Sequence, residues 1–176
     1  MPAPFLFAKG VASDKVWRPA EPRSMPYQYR HRRRVQFSET DLAGIVHFAN
    51  FFRYMEEAEH AFYRSLGFSV HRMVGQEDDD PVGWPRVHAS ADFRKPLKFE
   101  DEFEIELLVA AVGPKTIDYQ FRFVAVGGDE LLATGKFTVI CVRFDQEAGR
   151  MRAVGIPEAI RLQIEVAPAE MLGDLP

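Results

Sequence analysis

The amino-acid sequence predicts an α+β fold in one domain, in which an antiparallel sheet wraps around one long helix. Three observations predict this class. Residues 51–66 repeat apolar side chains at the spacing of one helix face. After residue 86 the apolar residues follow a period of two, which is typical of strands. The strand-like segments are joined by short turns without crossover helices, and such connections indicate antiparallel pairing.

Length and composition limit the possible classes of function. The chain has 176 residues, which suits one domain, and its 47% hydrophobic and 27% charged residues are an ordinary soluble composition. A formal net charge of -4 disfavours nucleic acid as a partner. No apolar run reaches the roughly 18 residues of a membrane span, and residues 1–12 lack the pattern of a secretory signal. A single cysteine, Cys141, favours a reducing compartment, so we expect a cytoplasmic protein without a membrane partner.

The chain divides into three segments. Residues 1–26 contain five prolines and no apolar periodicity, which predicts an irregular N-terminal extension. We expect the folded domain over residues 27–166 and a loose tail over residues 167–176. The domain begins with a predicted strand from Tyr27 to Phe37 whose middle is basic. Such a run is either a solvated strand face or edge, or a patch for an acidic ligand such as a nucleotide phosphate, and we favour the solvated face or edge.

The long helix is predicted by apolar residues that step by four, three, four and four: Phe51, Met55, Ala58, Phe62 and Leu66. It begins at Asn50 or a turn earlier, near His47, and Gly67 is placed to end it in a left-handed conformation. The apolar stripe is wider than a surface helix needs. This width implies that the sheet covers the helix.

Strands are predicted after the helix. Three segments alternate apolar and polar residues: 87–92, 102–109 and 117–123. Leu131 to Phe144 is a longer apolar segment of the kind found at a sheet centre. The last predicted element is a short helix from Glu158 to Val166 with Pro157 at its first position.

Between the first strand and the helix lies an acidic loop of small residues, Glu39 to Gly44, which contains Asp41. A carboxylate just before a helix is useful for catalysis, because unpaired N–H groups at a helix start stabilise a developing negative charge. The same residue types also form turns and helix caps without any catalysis. The local sequence alone favours the turn.

The segment from Asp41 to Phe51, D-L-A-G-I-V-H-F-A-N-F, resembles the loop of the hotdog-fold thioesterases, and within them the 4-hydroxybenzoyl-CoA thioesterase-like family. The segment from Arg152 to Pro157, R-A-V-G-I-P, is similar to the stretch before that family's last helix. The resemblance covers about residues 30–166, so the N-terminal extension lies outside it.

The resemblance implies an acyl-CoA thioesterase, which hydrolyses a thioester to the free acid and CoA. Asp41 matches the family's catalytic carboxylate, acting as nucleophile or as general base for water, and the Phe48 backbone N–H matches the group that polarises the thioester oxygen. Several members have His at the position of Phe48, whereas here His47 lies one residue earlier and is kept as a candidate. No metal or cofactor is implied, and the acidic segment 76–81 lacks the spacing of a calcium loop.

Hotdog proteins dimerise edge to edge and bind acyl-CoA at the subunit interface, so the resemblance also implies a homodimer or homotetramer. Lys115 matches the region in which the family places basic side chains on CoA phosphates, and Arg94 with Lys95 forms a second basic cluster. Gly44 in the loop is a candidate substrate contact. His88 either faces the partner's pocket or is an ordinary strand histidine.

Two function classes stay open. The first is a CoA thioesterase that depends on Asp41. The second is a non-catalytic hotdog module that binds an acyl-CoA or a protein partner without hydrolysis. The sequence does not distinguish an aryl from a fatty acyl group, or CoA from a carrier protein.

Overall fold

One long helix, α1 (Ala49–Ser65), lies against a five-stranded antiparallel sheet in the computed structural model of the chain. The five strands are β1 (Gln28–Arg34), β2 (Arg86–Phe93), β3 (Glu102–Val112), β4 (Thr116–Ala125) and β5 (Leu131–Ile140). Their order across the sheet is β1-β3-β4-β5-β2. Two further strands form a hairpin, and a short helix follows: β6 (Val142–Asp145), β7 (Arg150–Ala153) and α2 (Glu158–Arg161).

The structure describes residues 26–68, 82–128, 130–145 and 149–173. The predicted N-terminal extension, apart from Pro26, and the acidic segment 76–81 lie outside these ranges. No helix within the described ranges has the length and the apolar composition needed to cross a membrane.

The apolar face of α1 is buried against the sheet, as its spacing predicts. Five side chains of the helix have no exposed surface: Tyr54, Met55, Ala58, Phe62 and Tyr63. The helix begins at Ala49, within the predicted window, and Gly67 follows it with a φ of 85°. The predicted α+β class, with one helix covered by an antiparallel sheet, is confirmed.

The start of α1 lies at one end of the sheet, here termed the loop end. Phe51 in the first turn of the helix contacts Phe93 and Phe123, with 4.9 Å and 5.1 Å between ring centroids. The opposite end, termed the turn end, holds the β3–β4 connection, where Thr116 pairs with Ile140. The hairpin of β6 and β7 continues from that end.

The first strand is shorter than predicted. β1 ends at Arg34 instead of Phe37, and residues Phe37–Glu39 form a turn of 3-10 helix. The Gln36 N–H donates to Oε2 of Glu39 at 2.7 Å, which closes this turn. β1 is an edge strand, which is one of the two positions, solvated face or edge, that its basic run predicts. Its outward arginines pair with carboxylates of β3: Arg30 with Glu104 and Glu106, and Arg32 and Arg34 with Glu102.

The predicted strand from Leu131 to Phe144 is two strands that are separated at Cys141. The Cys141 N–H donates to the Lys115 carbonyl and the Cys141 carbonyl accepts from Val154, so the chain changes partners there. β6 then pairs with β7, a strand that the sequence analysis did not predict.

The C-terminal helix is also shorter than predicted. α2 covers Glu158–Arg161, and Pro157 is its N-cap rather than its first residue. Ile164 lies beyond the helix and is buried all the same. The tail that we expected to be loose is held at its start, because Ala167 is buried and its N–H donates to the Val109 carbonyl at 2.9 Å.

Candidate active site

The loop between β1 and α1 is closed by backbone hydrogen bonds. The Asp41 N–H donates to the Ile45 carbonyl at 2.9 Å, and the Gly44 N–H donates to the Asp41 carbonyl at 2.9 Å. Gly44 has a φ of 74°, in the left-handed region that favours glycine. An antiparallel bridge between Thr40 and Val46 joins the two sides of the loop. Asp41 is therefore held beside the residues that lead into α1.

The Asp41 side chain is exposed, and only one of its two carboxylate oxygens accepts a hydrogen bond from the described residues. Its Oδ1 accepts from the Ala43 N–H at 2.8 Å, so one oxygen orders the loop. Its Oδ2 has no hydrogen-bond partner among the residues that the structure describes. The carboxylate can therefore serve as a turn residue through one oxygen and still present the other to a ligand.

The start of α1 presents a free backbone N–H. Phe48 is the N-cap, with a φ of -52° and a ψ of -34°. The Phe48 N–H has no acceptor in the described part of the chain, whereas the Ala49 N–H donates to Nδ1 of His47 at 3.3 Å. The His47 ring thus caps the helix and lies beside the Phe48 ring, with 4.5 Å between centroids. A free N–H at a helix start is suited to an oxyanion.

Two polar residues, Glu39 and Asn50, join the loop to the helix. The sequence analysis did not propose either of them as a site residue. The Glu39 carbonyl accepts from the His47 N–H at 2.9 Å and from Nδ2 of Asn50 at 2.8 Å. The Glu39 carboxylate accepts from Arg33 at 2.6 Å. Burial and the neighbouring Glu39 carboxylate raise the pKa of Tyr54. Asn50 was the signal in the sequence that could have revealed this connection, because a polar side chain beside a buried apolar stripe needs a hydrogen-bond partner.

Four large apolar side chains around the loop are exposed: Phe37, Leu42, Phe48 and Phe99. Phe37 and Phe99 meet edge to face, with 5.8 Å between ring centroids. They flank the loop, because Phe37 precedes it and Phe99 follows Lys98, the bridge partner of Ile45. Exposed apolar side chains grouped around a carboxylate are typical of a ligand site or an interface.

The predicted phosphate-binding residues lie at opposite ends of the sheet. Arg94 and Lys95 follow β2 at the loop end and are exposed, and Lys95 forms an ion pair with Glu130. Lys115 is exposed in the β3–β4 connection at the turn end. β3 has 11 residues, so the two ends are roughly 35 Å apart. A single chain therefore does not bring Lys115 to Asp41.

His88 is exposed on the edge strand β2, where it pairs with Thr138, and the structure does not bring it to the loop. In the ranges that the structure describes, no group of three or more His, Cys, Asp or Glu side chains could hold a metal ion. The groups that the fold brings together are the Asp41 carboxylate, the Gly44 turn, the Phe48 N–H and the His47 cap.

Most of the chain matches a known protein family. Residues 35–164 match the family model of the thioesterase-like superfamily, and this range includes the loop, α1 and the strands β2 to β7. The chain belongs to the thioesterase-like superfamily. The resemblance found in the sequence is thereby confirmed.

Relatives and solved structures agree with this membership. The thioesterase is 29% identical over 140 residues to a 1,4-dihydroxy-2-naphthoyl-CoA hydrolase of Synechococcus sp. (strain CC9311), a match that covers 77% of this chain and 88% of the relative. A crystal structure of a protein from Aquifex aeolicus is 31% identical, with a TM-score of 0.67 over 77% of this chain and 98% of that one. The structure of a gentisyl-coenzyme A thioesterase is 28% identical, with a TM-score of 0.65 over 77% of this chain and 99% of that one. The hotdog fold and the class of thioester hydrolase are confirmed.

Proposed function

We propose that this thioesterase hydrolyses an acyl-CoA, with Asp41 as the reacting carboxylate and the Phe48 N–H as the oxyanion donor. The observation that carries the proposal is the pair of free groups on one closed loop: an Asp41 oxygen and the Phe48 N–H. Thr40 and Val46 are bridge partners. Asp41 is one residue after Thr40 and Phe48 is two residues after Val46, so the same bridge holds both groups.

The proposed reaction needs only these groups and water. Addition to the thioester carbon moves the carbonyl electron pair onto oxygen, which accepts from the Phe48 N–H; one such donor lowers a barrier by about 3–4 kcal/mol. Collapse of the adduct breaks the C–S bond, and the CoA thiolate leaves and takes up a proton. Asp41 either takes the proton of the attacking water, or adds first and forms an anhydride that water hydrolyses.

An aromatic acyl group fits the apolar residues around the loop. The ring of Phe99 meets Phe37 edge to face, and a third ring can extend this kind of contact. One relative is named for a naphthoyl thioester and one structural neighbour for a gentisyl thioester, and both acyl groups are aromatic. We therefore expect aryl-CoA esters to be better substrates than fatty acyl-CoA esters.

A second copy of the chain completes the site in this proposal. β2 is an edge strand, and antiparallel pairing with a second β2 joins two sheets around a two-fold axis. Such pairing brings the turn end of one subunit towards the loop end of the other. Lys115 of the partner subunit is then brought towards Asp41 and is available to bind the CoA phosphates, which Lys115 of the same chain is too far away to do. The reduced, buried Cys141 fits the cytoplasm as the compartment.

Release of free thiol from a panel of aryl-CoA and fatty acyl-CoA esters tests the proposal. We expect Asp41→Asn to fold like the wild type, because the amide oxygen still accepts from the Ala43 N–H. We expect its kcat to fall by at least about 10²-fold, since an amide can neither take a proton nor attack the thioester. A thiol-reactive dye follows the released CoA.

Asp101→Asn is the matched control. Asp101 is also an exposed loop carboxylate, and its Oδ2 accepts from the Lys98 N–H at 2.7 Å, the same kind of contact that Asp41 makes. We expect wild-type turnover from this variant. Equal turnover of wild type and Asp41→Asn would rule out Asp41 as the reacting group. Saturable acyl-CoA binding without thiol release would instead favour a non-catalytic binding module.

A further inference from the structure

Arg33 on β1 lies between two carboxylates at equal distances. Its Nη2 donates to Oε1 of Glu39 at 2.6 Å, and its Nη1 donates to Oε2 of Glu57 at 2.6 Å. The guanidinium also lies over the Tyr54 ring, 4.3 Å from the centroid. The side chains of Arg33 and Glu39 are each 15% exposed, whereas that of Glu57 is 47% exposed. The pair with Glu39 is therefore less screened by water and is the stronger of the two.

Glu39 connects this ion pair to the candidate active site. Its carboxylate closes the 3-10 turn before the loop. Its carbonyl accepts from the His47 N–H and from Nδ2 of Asn50, both in the segment that starts α1. Asp41 lies two residues after Glu39, and Phe48 lies one residue after His47. One residue thus joins the strand, the loop and the helix start.

We infer that the Arg33–Glu39 ion pair is a positioning device, which holds the Asp41 carboxylate and the Phe48 N–H in one fixed geometry. The inference rests on the proposed function of that loop. Reacting groups must be held within about 0.5 Å of their productive positions, and a displacement of about 1 Å can cost about 10²-fold in rate. An exposed loop reaches such precision only when residues behind it anchor it to a rigid element, and β1 is that element here.

Two glutamine variants separate positioning from stability. Glu39→Gln and Glu57→Gln each remove one charge and leave Arg33 with its other partner, but only Glu39 leads to the loop. We expect Glu39→Gln to lower kcat by about 10²-fold with little change in KM, and Glu57→Gln to keep the wild-type kcat. Thermal melting is measured for both variants. If both lose a similar amount of stability, a difference in kcat between them cannot come from stability.

Amide hydrogen exchange reports on the loop without any substrate. The Asp41, Gly44 and His47 N–H groups are all hydrogen-bonded within the loop or to Glu39. We expect their exchange to accelerate by about tenfold in Glu39→Gln and to keep its wild-type rate in Glu57→Gln. If Glu39→Gln does not fold, Arg33→Gln removes the same ion pair from its other side and is expected to give the same result.

The outcomes separate this inference from the proposed function. A wild type that hydrolyses thioesters, with equal kcat and equal exchange in the two glutamine variants, overturns the inference and leaves the function in place. A raised KM with unchanged kcat in Glu39→Gln also overturns it, because that result reports binding rather than positioning. The third outcome is that loop exchange is faster in Glu39→Gln alone, while the wild type releases no thiol from any ester. This outcome supports the role of the Arg33–Glu39 ion pair in holding the loop and overturns the proposed function.

Discussion

Gly44 sets the backbone of the candidate loop, with a φ of 74° and open space where a Cβ atom would stand. Alanine there strains the backbone without a clash, and the left-handed region costs a residue with a Cβ about 1–2 kcal/mol. The strain falls on the loop that holds Asp41. We therefore expect Gly44→Ala to lower the free energy of unfolding by about 1 kcal/mol and kcat by at least about tenfold. Denaturant unfolding and thiol release measure the two effects.

Gly67 provides the control for this prediction. It has a φ of 85° and equally open space, but it lies after the opposite end of α1. We expect Gly67→Ala to lose a similar free energy of unfolding and to keep wild-type turnover. If both variants lose turnover alike, the effect of Gly44→Ala comes from general stability and not from the geometry of the loop.

Sequence patterns predict the tight loop at Asp41 and Gly44, and the structure contains that loop. The catalytic role of Asp41 stays a prediction. The pairing of Arg33 with Glu39 could not be predicted, because a run of basic residues on a strand looks solvated until the neighbouring chain is placed. Glu39 reaches Arg33 only because the chain turns at Phe37, and no periodicity marks that turn.

At the scale of the elements, Gly135 on β5 lies directly against Met55 on α1. A Cβ atom on Gly135 would lie 2.2 Å from the Met55 sulfur and 3.2 Å from the Ser90 carbonyl oxygen. Met55 is fully buried, so its sulfur cannot move aside without disturbing the core. We expect Gly135→Ala to lower the free energy of unfolding by about 1–3 kcal/mol, measured by denaturant unfolding.

Gly128→Ala is the matched control for this contact. Its Cβ would meet nothing closer than the Glu130 nitrogen at 4.0 Å, and its φ is not in the left-handed region. We expect a change within about 0.5 kcal/mol. A Gly135→Ala protein as stable as this control would show that the helix can shift away from the sheet at little cost.

Helix periodicity proved more informative than strand periodicity for element boundaries. α1 depends on its own sequence spacing, and its start and end fall where the sequence predicts. The break at Cys141 depends on a change of hydrogen-bond partner, from the sheet to the Lys115 and Val154 backbone. The residues on both sides of Cys141 are apolar, so the sequence contains no signal for this break.

For the whole molecule, the placement of charge could not be predicted from spacing along the chain. The family resemblance assigns Asp41 to catalysis and Lys115 to the CoA phosphates of the same substrate. The two residues nevertheless lie at opposite ends of one sheet. Only the assembled sheet shows this separation, because β3 carries the chain from one end to the other. A site that uses both residues therefore requires a second subunit.

The stability of the whole fold is coupled to pH through Glu59, which ties α1 to the edge strand β2. Glu59 is 3% exposed, and its carboxylate pairs with Arg86 at 2.5 Å. Burial raises the pKa of Glu59 from an ordinary 4.5 to about 7, although the Arg86 charge opposes the shift. The folded state thus binds more protons than the unfolded chain between these values. Stability from this group is full below about pH 4.5 and falls as pH rises towards about pH 7.

We expect Glu59→Gln to remove this slope, because an amide does not ionise. Relative to the wild type, its free energy of unfolding should gain on the order of 3 kcal/mol between about pH 4.5 and about pH 7. Burial lowers the pKa of His31 and His60, so these two residues make stability rise with pH and oppose the Glu59 effect. Glu56→Gln, which removes the more exposed partner of Arg86, should keep most of the wild-type slope. Parallel profiles for wild type and Glu59→Gln in denaturant unfolding would mean that Arg86 keeps the buried carboxylate ionised throughout.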